Sequence, residues 1–154
     1  MTRSSEGVED KYQERYVKHQ ERKKKVLIDI MKERHSNRMF GDQEVEAEKL
    51  DELVKLAELC PSSCDRQGVR VKVITDRDQK ALLGGVLVGG VGWIHRAPAI
   101  LLLIGDPVAY KAGDEIKFMP YLDGGVIVQQ LGLAATAMGL HSAFANPNIR
   151  DIKA

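Results

Sequence analysis

The apolar segment at residues 123–139 constrains the fold of this chain more than any other part of the sequence. Asp123 is suited to cap the N-terminus of a helix and Gly139 to end one, and nearly every residue between them is small or apolar. A helix that is apolar on all sides is buried on all sides. In a chain of 154 residues, one way to bury it is against a second subunit. Three small side chains offer a tight surface for that contact: Ala134, Ala135 and Ala137.

The composition narrows the class of protein. Hydrophobic residues make up 44% of the chain and charged residues 29%, which is ordinary for a globular domain. The 23 basic and 22 acidic residues nearly cancel, so the overall field attracts neither nucleic acid nor an anionic membrane. The most apolar stretch, 126–140, is short and contains Gln129 and Gln130, so we expect no membrane span. The start of the chain lacks the apolar core of a signal peptide, and we expect a cytoplasmic protein.

Hydrophobic periodicity predicts a succession of helices and strands. We expect helices over 11–34, 47–60, 78–88 and 123–139, and strands over 69–73, 99–104 and 141–145, the last ended by Asn146 and Pro147. The apolar run 99–104 suits a fully buried central strand. This order predicts an α+β or three-layer fold. The basic run 22–25 favours a solvated helix face, with a nucleic-acid contact as the alternative.

Arg34, Ser36 and Arg38 carry the chemistry that a phosphate group needs. The two arginines are four residues apart, so a helical turn here would place both guanidinium groups on one side. Ser36 lies between them and adds a hydroxyl donor. An arginine suits a phosphate because its planar fork makes two parallel hydrogen bonds.

Three blocks of sequence, in this order, resemble the nitroreductase family of FMN proteins. Residues 34–40 (RHSNRMF) resemble the family's Arg-x-Ser-x-Arg/Lys-x-Phe signature, and residues 61–67 (PSSCDRQ) resemble its Pro-Ser-Ser-x-Asn-x-Gln loop. Residues 123–140 are similar to its central helix, which begins Asp-x-Gly and ends Gly-Leu. The resemblance runs from about residue 28 to 149. It implies a nitroreductase-like α+β three-layer fold, with a central mixed or antiparallel sheet wrapped by helices, assembled as a homodimer.

The resemblance also implies which residues bind FMN. Arg34, His35 and Ser36 fall where the family holds the phosphate and ribityl tail, and Arg38 falls where a basic side chain approaches the pyrimidine end of the flavin ring. Reduction adds negative charge at that end, which a cation stabilises. The family loop that lines the ring, usually supplied by the other subunit, corresponds to Pro61, Ser62, Ser63, Asp65 and Gln67.

Several positions depart from the family pattern. Asp65 stands where an asparagine is usual, and Gly68-Val69 replaces a frequent Pro-Trp. His95 or Arg96 either supplies a charge that relatives take from a lysine or only caps a strand. Trp93 is expected to be a core or interface anchor, with flavin stacking as the alternative. Family members usually continue well beyond the position of Ala154. We therefore expect residues 25–154 to form an FMN-binding domain that lacks its C-terminal part. Residues 1–24 are expected to form a charged helical extension.

The implied function is that of an FMN-dependent oxidoreductase with NADH or NADPH as reductant. It would pass reducing equivalents to a small electrophilic acceptor, such as a nitroaromatic or a quinone, by a ping-pong mechanism. No catalytic side chain is expected, because the flavin carries the chemistry. Cys60 and Cys64 have no matching cluster nearby, so no metal site is expected. The alternatives are a dehalogenase or flavin-fragmenting branch of the family, and a non-catalytic flavin-binding or dimeric interaction protein.

Overall fold

The computed structural model describes residues 6–87, 89–111 and 113–145. The helices and strands, in chain order, are α1 (Glu6–Glu33), α2 (Ala47–Glu58), β1 (Val69–Ile74), α3 (Arg77–Val86), β2 (Ile100–Gly105) and α4 (Glu115–Ala137). One-turn helices at Ser63–Asp65, Ile94–Arg96 and Pro107–Ala109 lie in the connections. The combination of these helices with an antiparallel sheet confirms the α+β class.

The chain divides into two compact units, with the boundary between Arg34 and His35. The first unit contains α1, so the boundary expected between residues 24 and 25 falls inside this helix. All side chains from 11 to 28 are exposed. Two lysines of the basic run 22–25 pair with acidic residues of the same helix, which favours the solvated-face interpretation. These ion pairs are Lys24–Glu21 at 3.4 Å and Lys25–Asp29 at 2.6 Å.

The core of the second unit forms where α2, α4 and the sheet meet. Leu50, Leu53 and Ala57 are the buried residues of α2 and lie along one stripe of the helix, as its sequence pattern predicts. The helix ends at Glu58, slightly before the expected end, and Pro61 prevents its continuation. The buried cluster consists of Leu53, Ala57, Cys60, Ile127, Leu131 and Ala135.

The sheet pairs β1 with β2 in antiparallel orientation, from Val69 opposite Gly105 to Ile74 opposite Ile100. Alternate residues of β1, including Val69, pack on the buried cluster. The expectation of a fully buried β2 is wrong, because its side chains are half-buried or exposed. Residues 141–145 form no strand and make one isolated parallel bridge, between Ser36 and Ser142. Asn146 and Pro147 lie outside the described residues.

The boundaries of α4 correct the sequence prediction. The helix begins at Glu115, with Pro120 inside it, so Asp123 does not cap its N-terminus. Asp123 lies within the helix and is only 3% exposed. It shares the buried face with Ile127, Leu131 and Ala135, at the four-residue spacing that aligns side chains along a helix.

The opposite face of α4 carries exposed apolar side chains. Phe118 is 52% exposed, Tyr121 70% and Leu122 56%. The helix is therefore buried on one side by its own chain and not on all sides. The suggestion that Ala135 faces a second subunit is wrong, because Ala135 lies in the chain's own core beside α2. Within the described residues, no helix is both long and apolar enough to cross a membrane.

Candidate functional site

The segment that follows α1 runs as extended chain against residues 141–142. The amide of Asn37 donates to the carbonyl of Ser142 at 2.9 Å, and the rings of His35 and His141 lie 5.4 Å apart. Because α1 ends at Glu33, the helical turn considered for residues 34–38 does not form. His35, Ser36 and Arg38 therefore project from an extended strand-like segment. Arg34 is the last residue of the first unit, and its side chain is half-buried.

Arg38 is supported by the ring of Trp93. The guanidinium carbon lies 5.5 Å from the centre of the ring, within the range of a cation–π contact. Phe40 stacks near the same tryptophan at 6.3 Å, and the indole N–H of Trp93 donates to the carbonyl of Gly89 at 2.9 Å. Trp93 is half-buried and contacts this segment through Arg38 and Phe40. The Arg38 side chain remains exposed, so its N–H groups are accessible to an anionic ligand.

The loop at residues 61–67 has an unusual backbone. Cys64, Asp65 and Gln67 have φ angles of 50°, 53° and 49°, in the left-handed region that residues with a Cβ rarely adopt. Two hydrogen bonds to side-chain acceptors help to hold the turn together. The backbone amide of Gln67 donates to Ser62 Oγ at 2.8 Å, and its side-chain Nε2 donates to Asp65 Oδ1 at 2.9 Å. The carboxylate that replaces the usual asparagine is thus engaged within the loop.

Asp123 ties the loop to α4. Its Oδ1 accepts hydrogen bonds from the amide of Ser63 at 2.9 Å and from Ser63 Oγ at 2.7 Å. Its Oδ2 accepts from the hydroxyl of Tyr110 at 2.9 Å. Burial raises the pKa of the Asp123 carboxyl, but the hydrogen bonds from Ser63 and Tyr110 outweigh burial and hold the pKa below its ordinary value.

Tyr110 completes this network, and Gly68 makes room for it. A Cβ at position 68 would lie 2.6 Å from the Tyr110 ring, so a larger residue would displace the ring. With Tyr110 in this position, the chain needs a glycine at position 68. The sequence prediction missed both Asp123 and Tyr110 as parts of the site. The available signal was one acidic residue in the otherwise uncharged segment 123–139, because a buried carboxylate needs hydrogen-bond donors.

A cavity of about 290 Å³ lies between the loop, α2, β1 and α4. Ser62, Gln67 and Asp123 supply polar lining, and Cys60 is also at its wall. Burial raises the pKa of the Cys60 thiol, which favours its protonated form. The apolar part of the lining includes Val54, Ala57, Val69, Val71 and Ile127.

The candidate residues therefore form two groups, each held by its own neighbours. His35, Ser36 and Arg38 belong to the segment beside residues 141–142 and Trp93. The other group, Pro61, Ser62, Ser63, Asp65 and Gln67, belongs to the loop held by Asp123. The arrangement combines exposed positive charge in one group with hydroxyl and amide groups in the other. Together these are the donors that a phosphate and a polar aromatic ring require.

Comparisons with known proteins agree on one family. The family model described as "Nitroreductase family" matches residues 31–91. An FMN reductase (NAD(P)H) of Bacillus subtilis is 32% identical over 128 residues, which are 74% of this chain and 51% of the relative. The chain thus spans about half the length of this curated relative.

Solved structures confirm the nitroreductase-like fold. A protein of Parabacteroides distasonis named as an NADH dehydrogenase/NAD(P)H nitroreductase matches with a TM-score of 0.72 and 26% identity, over 82% of this chain and 73% of that one. An FMN-dependent nitroreductase of Clostridium difficile matches with a TM-score of 0.62 and 29% identity, over 74% of this chain and 62% of that one.

We expect Tyr110 to lose its proton near pH 12, because burial and the adjacent Asp123 carboxylate raise its pKa to about 12. The pKa in the unfolded chain is about 10. The stability that this group contributes is therefore complete below about pH 10 and is lost as the pH rises through the folded-state pKa. Ultraviolet titration of tyrosinate should show a step near pH 12 that is absent in Tyr110→Phe. The step should persist in the control Tyr121→Phe, and its absence from the wild-type protein would contradict the geometry.

Proposed function

The chain belongs to the nitroreductase family, and from that premise we propose that it is an FMN-dependent oxidoreductase. Its reductant is NADH or NADPH, and its acceptor is a small electrophile such as a nitroaromatic or a quinone. The proposal rests on one observation above all. Every candidate cofactor residue from Arg34 to Gln67 lies inside residues 31–91, the part of the chain that the family model matches. The names of the relatives from Bacillus subtilis and Clostridium difficile, which mention FMN, support the same cofactor.

The donor set fits the chemistry of FMN. The cofactor combines an anionic phosphate, a hydroxylated chain and a ring system with hydrogen-bonding edges. The exposed guanidinium of Arg38 suits the ring edge at which reduction adds negative charge, and the exposed hydroxyl of Ser36 suits the phosphate and the hydroxylated chain. Ser62 Oγ accepts one hydrogen bond from Gln67 and keeps its own proton for a ligand. The carboxylate of Asp65 accepts a hydrogen bond from Gln67 Nε2 and is thereby held within the loop.

The residues of the 34–38 segment have two tasks in this proposal. Arg34, His35 and Ser36 hold the phosphate and ribityl tail, in accordance with the family resemblance. Bound FMN supplies the acceptor of a hydride from the nicotinamide and the donor of electrons to the second substrate. Arg38 places a positive charge beside the flavin ring and thereby favours its reduced state. The Trp93 ring supports one face of the guanidinium and leaves its N–H edge available.

The proposal includes a homodimer with shared sites. The exposed apolar face of α4, which includes Phe118, Tyr121 and Leu122, is a surface that water disfavours. A second copy that covers this face could bring its own 61–67 loop to the partner's Arg38 segment. That arrangement accounts for two groups of cofactor residues that are held by separate neighbours within one chain.

Arg34→Ala should weaken FMN binding about 10- to 150-fold, because a charge-assisted phosphate contact contributes roughly 1.5–3 kcal/mol. Titration of FMN fluorescence with the purified protein measures the dissociation constant. Arg15→Ala removes an exposed arginine of α1 outside the signature and should leave the constant unchanged. An unaltered constant in Arg34→Ala would contradict the assignment of the phosphate site.

Leu122→Glu should convert the dimer into folded monomers and reduce FMN binding at the same time, because it places a charge on the exposed apolar face of α4. Sedimentation velocity and circular dichroism measure assembly and folding separately. Ala135→Glu is the matched control on the opposite face. It buries an unpaired charge in the chain's own core, at a cost of several kcal/mol, and should unfold the protein. A Leu122→Glu protein that remains dimeric, or a wild-type protein that is monomeric, would contradict the proposed interface.

A further inference from the structure

We propose that Asp123 is a positioning residue for the 61–67 loop and that the two serines of this loop have separate tasks. Ser63 fastens the loop to α4, whereas Ser62 is the serine whose hydroxyl donates to the bound ligand. The second half of this inference rests on the proposed FMN function. The first half concerns the protein without ligand and stands independently.

The hydrogen bonds of Ser63 leave it no donor for a ligand. A hydroxyl group has one proton, and that of Ser63 points to Asp123 Oδ1 at 2.7 Å. The amide of Ser63 donates to the same oxygen at 2.9 Å. Both donors of this residue are therefore committed to the carboxylate, in short bonds of the charge-assisted kind.

Ser62 differs from Ser63 in this respect. Its Oγ accepts from the amide of Gln67 at 2.8 Å, and the hydroxyl proton takes no part in that bond. Ser62 also lines the cavity behind the loop together with Gln67. Of the two adjacent serines, Ser62 thus combines access to a cavity with a proton that it can donate.

Asp123 suits its task because an ionised carboxylate only accepts hydrogen bonds. Three donors converge on it, namely the amide and hydroxyl of Ser63 and the hydroxyl of Tyr110. An asparagine would offer one oxygen and one NH₂ group. Its NH₂ group can only donate, so it would face one of these donors without accepting a hydrogen bond. Asp123 is only 3% exposed, so bulk solvent offers little replacement for the lost acceptor.

The backbone of the loop explains why such a fastening is needed. Cys64, Asp65 and Gln67 adopt left-handed conformations that residues with a Cβ disfavour. Strained conformations of this kind persist where surrounding contacts determine them. The bonds from Ser63 to Asp123 lie immediately before the strained residues and connect them to the rigid body of α4.

Amide hydrogen exchange in the FMN-free protein tests the positioning role. In Asp123→Asn, exchange at the amides of Ser63 and Gln67 should accelerate at least about tenfold, while the amide of Leu131 in α4 should stay protected. Ser63→Ala should accelerate exchange at Gln67, and Ser63→Thr, which keeps the hydroxyl, should restore protection. These two variants leave the buried carboxylate in place and decide the question if Asp123→Asn does not fold. Wild-type protection at Gln67 in Ser63→Ala would overturn the positioning role.

FMN titration of serine variants tests whether Ser62 and Ser63 have separate tasks. Ser62→Ala should weaken binding about 2- to 12-fold, the loss expected for one neutral hydrogen bond, without faster exchange at the amide of Ser63. Ser63→Ala should weaken binding only together with faster exchange in the loop, and Ser63→Thr should restore both. Ser62→Ala with wild-type affinity would overturn its donor role. A wild-type protein that binds no FMN would refute the proposed function and the donor role of Ser62, while the exchange rates still decide the role of Asp123.

Discussion

The carboxylate of Asp123 joins three segments of the second unit, namely α4, the 61–67 loop and the segment that contains Tyr110. It lies in a helix that is otherwise almost free of charge, and it is buried there with donors from two other segments, Ser63 and Tyr110. A buried charge without such partners would cost more than a small domain can tolerate. The position of α4, the conformation of the 61–67 loop and the packing of Tyr110 over Gly68 are therefore mutually dependent. Disturbance of any one of them removes a partner from the others.

The sequence predicts the parts of the fold that local periodicity determines. The stripe of α2 and the alternation in β1 follow directly from the spacing of apolar residues, and both elements form close to their expected bounds. The start of α4 could not be found in this way. Pro120 and Gly124 suggest a break, and Asp123 has the chemistry of a cap, but the structure carries the helix through all three positions. The contacts that decide this are tertiary, since Ser63 is 60 residues away from Asp123.

The residues of the candidate site were predicted from sequence motifs and not from periodicity. Its residues belong to two short motifs whose order resembles a known family, and no periodicity was needed to find them. The extended conformation of residues 35–38 and the left-handed residues of the loop could not be predicted, because they depend on contacts with Ser142, Trp93 and Asp123. The four-residue spacing of Arg34 and Arg38 was compatible with a helical turn in the first segment, and no local pattern predicted a positive φ at Gln67. The motif thus indicated the chemistry, and tertiary contacts determined the geometry.

The proposed function requires that this chain hold FMN in a state that a nicotinamide cofactor can reduce. The most direct measurement is the visible absorption of the FMN-loaded protein under anaerobic conditions during addition of NADH or NADPH. We predict that the flavin band is lost upon addition of one of these reductants and returns when a quinone or a nitroaromatic compound is added. A protein that retains its flavin, with the flavin band unchanged by both reductants, would contradict the account.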